Sequence, residues 1–199
     1  LQGIAVTGIT LGAGTPGSWS FTLNGTTFTT ISGVTATNAL LLPSTASVRY
    51  TPGANETGSA TITYEAWDQT SGSAGGFANA SLNGGITAFS TASSTATHAI
   101  APVNDAPVLV TAATPVLTAV AEDAGAPVGA VGTLVSSLVN LNPPLGGLDN
   151  VTDPDVAPLT GIAITALNTG NGNFFYSTDN GASWTAIGSV TPASALLLA

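Results

Sequence analysis

Hydrophobic and polar residues alternate along several stretches of the chain. Residues 18–23 alternate strictly and place Trp19, Phe21 and Leu23 on one face, and residues 59–67 follow the same pattern. A period of two is typical of strands that bury one face. Gly-, Pro- and Asn-Gly-containing segments separate these stretches, and no capped amphipathic helix interrupts them. The pattern therefore predicts an all-β protein of short strands packed as β-sandwiches.

The predicted strands form two groups, one on each side of residues 104–107. In the first group we expect strands at residues 1–10, 18–23, 26–31, 39–42, 48–50, 59–67, 86–90 and 95–103. In the second group we expect strands at residues 116–120 and 159–165, and residues 132–139 fit either a strand or a helical turn. The Gly-, Ser- and Asn-rich segment 71–85 and residues 140–158 are expected to be loops.

Part of the sequence occurs twice. The repeated elements are residues 1–7 at 159–165, residues 39–42 at 195–198, and Asn24-Gly25 at Asn180-Gly181. The period is about 156 residues, which predicts a tandem repeat that starts and stops in mid-repeat here. Both Asn-Gly pairs predict equivalent two-residue type I′ hairpins.

This repeat divides the chain into residues 1–103, the late strands of one repeat, and residues 108–199, the early strands of the next. Each part is expected to lack strands that its own repeat would supply. Unpaired strand edges favour pairing with another chain, so we expect head-to-tail strand complementation between copies. Two simpler explanations compete with it. The chain, which has no Met, is a piece of a longer polypeptide, or each part is compact despite the missing strands.

Residues 101–107, Ala-Pro-Val-Asn-Asp-Ala-Pro, join the two parts. Pro102 and Pro107 favour extended conformations at the residues before them, which predicts a stiff linker at 104–107. Within it, Asn104 and Asp105 carry the amide and carboxylate oxygens that Ca²⁺ prefers. The alternative is a turn-forming Asn-Asp pair that binds nothing.

Charge restricts the partners further. The sequence has ten acidic residues and a single basic one, Arg49, for a net charge of −9. A chain with so few cations is unsuited to phosphate backbones and anionic membrane surfaces, so we expect no nucleic-acid partner and no membrane insertion. The absence of Cys from the sequence excludes disulfides and thiolate metal sites.

Six of the ten acidic residues fall in four short motifs. The motifs are Ala66-Trp67-Asp68 at the end of a late strand, Asn104-Asp105 in the linker, Glu122-Asp123 after the strand predicted at 116–120, and Asp153-Pro154-Asp155 in a loop. Carboxylates repel one another when they gather without a cation, so their convergence would imply a bound one. The alternative is that they are solubilising charges scattered over loops.

Taken in order, these motifs and the linker sequence Val103-Asn104-Asp105-Ala106-Pro107 resemble the marks of bacterial cadherin-like repeats, which occur in large extracellular adhesins and surface proteins. The resemblance implies two tandem cadherin-like or immunoglobulin-like β-sandwich segments joined by the Pro-bounded linker, and an extracellular, cell-surface location. It also implies a Ca²⁺ site whose ligands are Asp68, Asn104, Asp105, Glu122, Asp123, Asp153 and Asp155. Animal cadherins have linkers richer in Asp and Asn, which leaves the number of ions open.

Residues 177–184 match a second pattern, Ser-x-Asp-x-Gly-x-Ser-Trp, which resembles the Asp-box hairpin of sialidases and other β-proteins. Asp179 can bond to the backbone of its own turn, Gly181 permits a positive φ, and Trp184 can anchor the hairpin. The functional alternative is carbohydrate processing. A single Arg cannot build the arginine cluster with which sialidases hold a sugar carboxylate, so we favour the structural interpretation.

The sequence contains no recognisable catalytic constellation. His98, the only histidine, lies in an alternating strand, and no nucleophile elbow or Ser/His/Asp set accompanies it. Glu56 and Glu65 could form an acid pair, but the alternation directs Glu65 away from the core, where it needs no further role. The sequence therefore predicts a protein that is not an enzyme.

These observations favour a structural, Ca²⁺-rigidified module of an extracellular adhesin, matrix protein or fibre. Its expected partners are copies of itself, neighbouring repeats, surface glycans or other cells. The alternative is a carbohydrate-binding module that stacks sugars on exposed aromatic residues such as Trp19 and Trp67, unless both are core residues of their strands. A glycan hydrolase fragment is a remote third hypothesis, with no residues to support it.

Overall fold

The structure is a computed structural model that describes residues 2–170 and 172–199. Within these residues all regular structure is β, apart from a 3₁₀ turn at Val135–Ser137, so the predicted all-β class is confirmed. The chain divides into two compact units, Leu1–Val103 and Asn104–Ala199. Leu1, the first residue of the strand predicted at 1–10, lies outside the described residues. None of the helical structure described here has the length or hydrophobicity to span a bilayer.

The first unit is built from two antiparallel sheets. Its strands are β1 (Gly3–Thr10), β2 (Ser18–Thr22), β3 (Thr29–Thr30), β4 (Ala39–Pro43), β5 (Ser47–Thr51), β6 (Gly58–Trp67), β7 (Phe77–Ala78) and β8 (Phe89–Ile100). The larger sheet has the order β7-β4-β1-β6-β8, and the smaller has the order β3-β2-β5. β1 is the middle strand of the larger sheet, because it pairs with β4 on one side and β6 on the other.

Side chains from both sheets form the main core of this unit. The cluster contains Val6, Trp19, Phe21, Ile31, Leu40, Leu42, Tyr50, Ala60, Ile62 and Ile100. A second cluster covers part of the opposite face of the larger sheet, where Leu41 and Trp67 pack with Ala80 and Ala88. β4 is therefore buried on both faces, which accounts for its uninterrupted apolar sequence.

The second unit has a much smaller core. Its strands are β9 (Val108–Leu109), β10 (Val151–Thr152), β11 (Ile162–Ile164), β12 (Phe175–Tyr176), β13 (Thr185–Ala186) and β14 (Leu196–Leu198). They form three two-stranded antiparallel sheets, β9-β10, β11-β14 and β12-β13. Among the hydrophobic side chains described in this unit, Val139 and Val151 are buried, whereas Leu159 and Leu197 are among many that are exposed.

The strand pairing of the first unit recurs in the second. In β1 and in β11, three successive residues face three leucines in the same order. The pairs are Ile4 with Leu42, Ala5 with Leu41 and Val6 with Leu40 in the first unit, and Ile162 with Leu198, Ala163 with Leu197 and Ile164 with Leu196 in the second. The repeated sequence therefore forms the same local structure twice. One difference is that β1 also pairs with β6, whereas β11 pairs with β14 alone among the described strands.

Both Asn-Gly pairs lie in loops between paired strands, but these loops are not two-residue type I′ turns. The loops span residues 23–28, between β2 and β3, and 177–184, between β12 and β13. Gly25, Asn180 and Gly181 have positive φ, whereas Asn24 does not. Oδ1 of Asn24 instead accepts the N–H groups of Thr26 and Thr27, which makes an Asx-type turn. The predicted location of the hairpins is right. The predicted type I′ turn is wrong for Asn24-Gly25. For Asn180-Gly181 both central residues have positive φ and the N–H of Ala182 donates to the carbonyl of Asp179 at 3.3 Å, as in a type I′ turn, but this turn lies inside a longer loop.

Four of the predicted strands also differ from the structure. Residues 26–31 contribute only Thr29–Thr30, and the strands predicted at 86–90 and 95–103 are parts of the single long strand β8. Residues 116–120 form no strand, so Glu122-Asp123 does not follow one. Val116 and Val120 are exposed, and the N–H of Thr118 donates to the hydroxyl of Thr133. Alternation marks a segment that could form a strand, but the segment becomes one only beside a sheet partner.

The two Asn-Gly loops can be compared by substituting their glycines. Gly25 and Gly181 both have positive φ, where a Cβ costs about 1–2 kcal/mol. A Cβ on Gly25 would meet open space, whereas a Cβ on Gly181 would overlap the carbonyl group of Gly129. We expect Gly25→Ala to lower the free energy of unfolding by about 1–2 kcal/mol, and Gly181→Ala to lower it further. Urea unfolding followed by tryptophan fluorescence measures both effects.

Gly188→Ala is the matched control, because a Cβ there meets open space and the backbone is outside the left-handed region. Equal costs for the substitutions at Gly25 and Gly181 would contradict the close packing of Gly181.

Candidate functional site

Three of the predicted Ca²⁺ ligands lie together at one end of the β9-β10 pair. Antiparallel pairing of Val108 with Thr152 places the residues before β9 beside those after β10. The N–H of Asp105 donates to the two carboxylate oxygens of Asp155, at 3.3 and 3.2 Å, and the N–H of Asp155 donates to Oδ1 of Asp153 at 2.9 Å. These three half-buried residues are called the Asp105 cluster below.

The side chains of the Asp105 cluster carry oxygen atoms of the kind that hard cations bind. Its hydrogen bonds come from backbone N–H groups, and no hydrogen bond between described residues involves Oδ2 of Asp153 or the carboxylate of Asp105. Because all the free ligand atoms are oxygens, the set fits Ca²⁺ rather than a metal that prefers sulfur or nitrogen.

The other predicted ligands have different surroundings. Nδ2 of Asn104 donates to the carbonyl of Asp105 at 2.9 Å, which keeps this side chain beside the cluster. Glu122 and Asp123 are exposed, and Asp123 occupies a turn with a φ of 61°. No hydrogen bond of the described residues joins them to the cluster. Within residues 2–170 and 172–199, no group of three or more acidic, His or Cys side chains has the geometry of a metal site.

Asp68 caps the turn that follows β6 in the first unit. Its Oδ1 accepts the hydroxyl of Thr70 at 2.7 Å and the N–H of Thr70 at 2.8 Å. These two bonds, with the hydroxyl contributing most, hold the pKa of Asp68 below its ordinary value. β6 ends at Trp67, as the Ala-x-Asp motif predicted, and the contacts of Asp68 are those of a turn-forming Asp.

Asp179 organises the loop between β12 and β13. Its Oδ2 accepts the hydroxyl of Ser183 at 2.6 Å, and its Oδ1 accepts the N–H of Ser183 at 2.9 Å and the hydroxyl of Ser177 at 2.7 Å. The bonds from Ser183 and Ser177 lower the pKa of Asp179 to about 2. Trp184 anchors the loop by donating its indole N–H to the carbonyl of Gly129 at 3.1 Å. The contacts expected for a self-stabilised Asp-box turn are therefore confirmed.

Glu56 has a structural role that sequence reasoning missed. This buried residue accepts the N–H of Gly12 at 2.7 Å, the N–H of Gly53 at 2.8 Å and the hydroxyl of Tyr50. Burial raises the pKa of Glu56, but the hydrogen bonds from Tyr50 and the backbone N–H groups outweigh it, so the pKa lies below its ordinary value. Burial also raises the pKa of Tyr50. The one sequence signal was an acid inside a turn that contains Pro and Gly.

Glu65 lies on the face of β6 opposite Ile62 and Tyr64, as the alternation predicted, but this second face is buried as well. Its side chain is 7% exposed. The larger sheet is covered on this face by the cluster that contains Trp67 and Ala88, so both faces of β6 are buried here. Alternation distinguishes the faces of a strand, but it does not reveal that a distant loop covers the second face.

Trp19 and Trp67 are core residues. They are 6% and 3% exposed, and their indole N–H groups donate to the carbonyls of Thr10 and Ser71 at 3.1 and 2.8 Å. A sugar cannot stack on either ring, so the carbohydrate-binding hypothesis loses the two residues it named. His98 is exposed on β8, and the centroid of its ring lies 6.3 Å from that of Trp19.

Comparison with known proteins adds no relative from which a function could be carried over. No family model, curated protein or solved structure matches the chain. The functional interpretation therefore rests on the geometry described above.

The low pKa of Asp179 makes part of the stability of the second unit depend on pH. Because this pKa, about 2 in the folded protein, lies below the ordinary value of 3.8, the ionised carboxylate stabilises the loop. The contribution is complete above the ordinary pKa and is lost as the pH falls from 3.8 toward 2. We expect Asp179→Ala to weaken the loop at pH 7 and to remove this acid dependence. The indole N–H resonance of Trp184 in an NMR pH titration reports on both.

Ser183→Ala provides a graded control, because it removes only the hydroxyl that donates to Oδ2 of Asp179 and leaves the N–H of Ser183 and the hydroxyl of Ser177 as donors to Oδ1. Its effect should be smaller and should keep part of the pH dependence. An Asp179→Ala variant with the acid transition of the unmodified protein would contradict the role of the carboxylate.

Proposed function

We propose that this chain is a structural module of an extracellular adhesin, matrix protein or fibre, and that Ca²⁺ stiffens the start of its second unit. The observation that carries the proposal is the Asp105 cluster, in which the backbone N–H of Asp105 binds the carboxylate of Asp155 and the backbone N–H of Asp155 binds that of Asp153, at the end of the β9-β10 pair. The chain has one basic side chain against ten acids, so it has little charge of its own with which to neutralise them. Ca²⁺ fits this set of oxygen ligands.

Asp105, Asp153 and Asp155 would hold the ion, and the side-chain amide of Asn104 offers a further oxygen beside them. Bound Ca²⁺ would tie the segment that leads into β9 to the loop that follows β10. Pro107 already restricts the first of these segments immediately before Val108. An ion at this position would therefore remove much of the remaining freedom of the linker, and stiffness is what a stalk of repeated modules requires.

The proposal includes the assignment of the chain to cadherin-like tandem repeats. The order of the acidic motifs supports it, as does the recurrence of the β1-β4 pairing in β11 and β14. Under this assignment the protein is not an enzyme, and it contacts copies of itself, neighbouring repeats or other cells at the cell surface.

Head-to-tail association of copies is the second part of the proposal. Leu41 of β4 is 0% exposed, whereas Leu197 at the same register position of β14 is 74% exposed. The edge of β1 that pairs with β6 corresponds to an edge of β11 with no partner among the described strands. β8, the late strand at one edge of the larger sheet, could come from another copy, pair with this edge and cover apolar side chains. The contact is heterologous, so it leads to filaments unless the rotation closes a ring.

Calorimetric titration with Ca²⁺ tests the Asp105 cluster. We expect the full chain to bind with a Kd of about 10⁻⁴–10⁻³ M, the range of extracellular modules. Ca²⁺ at 100 times the Kd should add about 2.7 kcal/mol to the free energy of unfolding. Asp153→Asn keeps the oxygen that accepts the N–H of Asp155 but removes the charge, and we expect it to weaken binding at this site by at least about tenfold.

The matched control for this titration is Asp149→Asn. Asp149 lies two residues before β10, on the other side of this strand from Asp153, and has a φ of 50°, a conformation that Asn tolerates. If Asp153→Asn and Asp149→Asn gave the same binding isotherm as the unmodified chain, the ion could not be assigned to the cluster.

Sedimentation velocity over a range of protein concentrations tests the association. We expect larger species as the concentration rises, and we expect Leu197→Asp to remove them, because a charge on β14 opposes burial of this face. Leu159→Asp is the control, since Leu159 is also exposed and lies outside the β11-β14 pair. A chain that stayed monomeric at all concentrations would rule the association out.

A further inference from the structure

Glu65, in the middle of β6, is a buried acid with an unsatisfied oxygen. Its Oε1 accepts the side-chain N–H of Asn83 at a long distance of 3.4 Å. Its Oε2 is inaccessible to solvent and has no hydrogen-bond partner among the described residues. A buried carboxylate oxygen left without a partner is strongly destabilising. Something other than the described side chains must therefore satisfy it.

Glu56 shows what a satisfied buried acid looks like in the same unit. Its two oxygens receive the N–H of Gly12, the N–H of Gly53 and the hydroxyl of Tyr50. The surroundings of Glu65 provide one weak donor instead of three. The difference is not a matter of burial, because both side chains are less than a tenth exposed.

The basic side chains of this chain are engaged elsewhere. Arg49, the single Lys or Arg in the sequence, lies with its guanidinium carbon 4.0 Å from the centroid of the Phe28 ring. The ring of His98 packs beside those of Trp19 and Tyr50. Among the described residues, no basic side chain is therefore left to form an ion pair with Glu65.

Other oxygen-bearing side chains lie around Glu65. It is directly opposite Ser93 in the β6-β8 pairing, so the two side chains lie on the same face of the sheet. The register of β8 shifts just beyond this pair, where the hydroxyl of Ser90 accepts the N–H of Ala66. Asn83 approaches from the loop before β8, and a half-turn of its amide presents Oδ1 instead of Nδ2 to the carboxylate.

We infer that Glu65, with Asn83 and Ser93, binds a hard cation of the Ca²⁺ class at this face of β6. The ligands are carboxylate, amide and hydroxyl oxygens, which suit Ca²⁺ and do not suit metals that prefer sulfur or nitrogen. With a single carboxylate, the site belongs at the weak end of extracellular Ca²⁺ affinities, with a Kd of about 10⁻³ M. It is separate from the Asp105 cluster and does not depend on the function proposed above.

A cation here would hold a loop onto the sheet. Asn83 belongs to the segment between β7 and β8, from which Ala80 and Ala88 pack in the second apolar cluster. Besides the packing in that cluster, the long hydrogen bond between Asn83 and Glu65 joins this loop to β6. Ion binding would therefore order the loop and complete the second core.

Terbium luminescence gives a direct test, because Tb³⁺ occupies oxygen-rich Ca²⁺ sites and is excited by a nearby indole. Trp67 lies two residues from Glu65 on the same face of β6. The full chain with Asp153→Asn and Asp155→Asn serves as the background, so that the Asp105 cluster contributes no signal. We expect tryptophan-sensitised emission in this background and its displacement by millimolar Ca²⁺. Glu65→Gln should abolish the emission, and Asn83→Ala should weaken Tb³⁺ binding by about tenfold.

Glu56→Gln is the matched control, because it removes the other buried acid of the unit and should leave the emission unchanged. Thermal unfolding supplies a second readout. Without Ca²⁺, Glu65→Gln should have a higher Tm than its background, since it removes an unpaired buried charge. With saturating Ca²⁺ the background should gain stability and the variant should not.

Two results would overturn the inference. One is emission that is absent from the background, or that persists in Glu65→Gln. The other is a Tm of Glu65→Gln that exceeds that of the background by the same amount with and without Ca²⁺, since Ca²⁺ would then not act through Glu65. If Glu65→Gln does not fold, Asn83→Ala alone decides, because an unchanged Tb³⁺ affinity in that variant contradicts the site.

Discussion

Carboxylates in this protein have almost no cations with which to pair, and several parts of the structure depend on how each acid is satisfied instead. Asp68 and Asp179 accept hydroxyl and N–H groups of their own turns. Glu56 accepts N–H groups from two different loops, and Asp155 accepts the N–H of Asp105 from far away in the sequence. Acidic side chains in other proteins often form ion pairs at the surface. In this protein they shape turns and join segments of the chain. Glu65 differs from these acids because the described residues supply its carboxylate with only one long hydrogen bond, from Asn83.

The position of β1 determines where the main core forms. Because β1 pairs with β4 and β6, it brings Leu40 and Leu42 of one neighbour and Ile62 of the other onto a single face, against the smaller sheet. β11 repeats the first of these pairings only. Its leucines are therefore aligned as in the first unit, but they remain partly or largely exposed. Correct register is thus a local property of the repeated sequence, whereas burial requires the additional strand.

Local patterns predicted what depends on local interactions. Alternation located β2 and β6, and the residue types of the Asp-box predicted the contacts of Asp179. Proximity of Asp105 to Asp155 came only from a family resemblance, because their meeting depends on strand pairing across 50 residues. Burial of Glu65 could not be predicted, since the loop residues that pack in the covering cluster are the alanines Ala80 and Ala88, whereas its larger apolar residues, Leu82 and Ile86, are exposed. The strand predicted at residues 116–120 is absent for a similar reason, because the sequence pattern of a strand does not show whether another strand lies beside it.

One feature of the larger sheet bears on how the first unit would respond to force. β1 and β8 both run antiparallel to β6, which lies between them, so they are parallel to each other. β1 starts at Gly3 and β8 ends at Ile100. Tension applied through these two residues pulls β1 and β8 in opposite directions along their own axes. The hydrogen bonds of the β1-β6 and β6-β8 ladders are then loaded in shear and resist together, instead of breaking one after another.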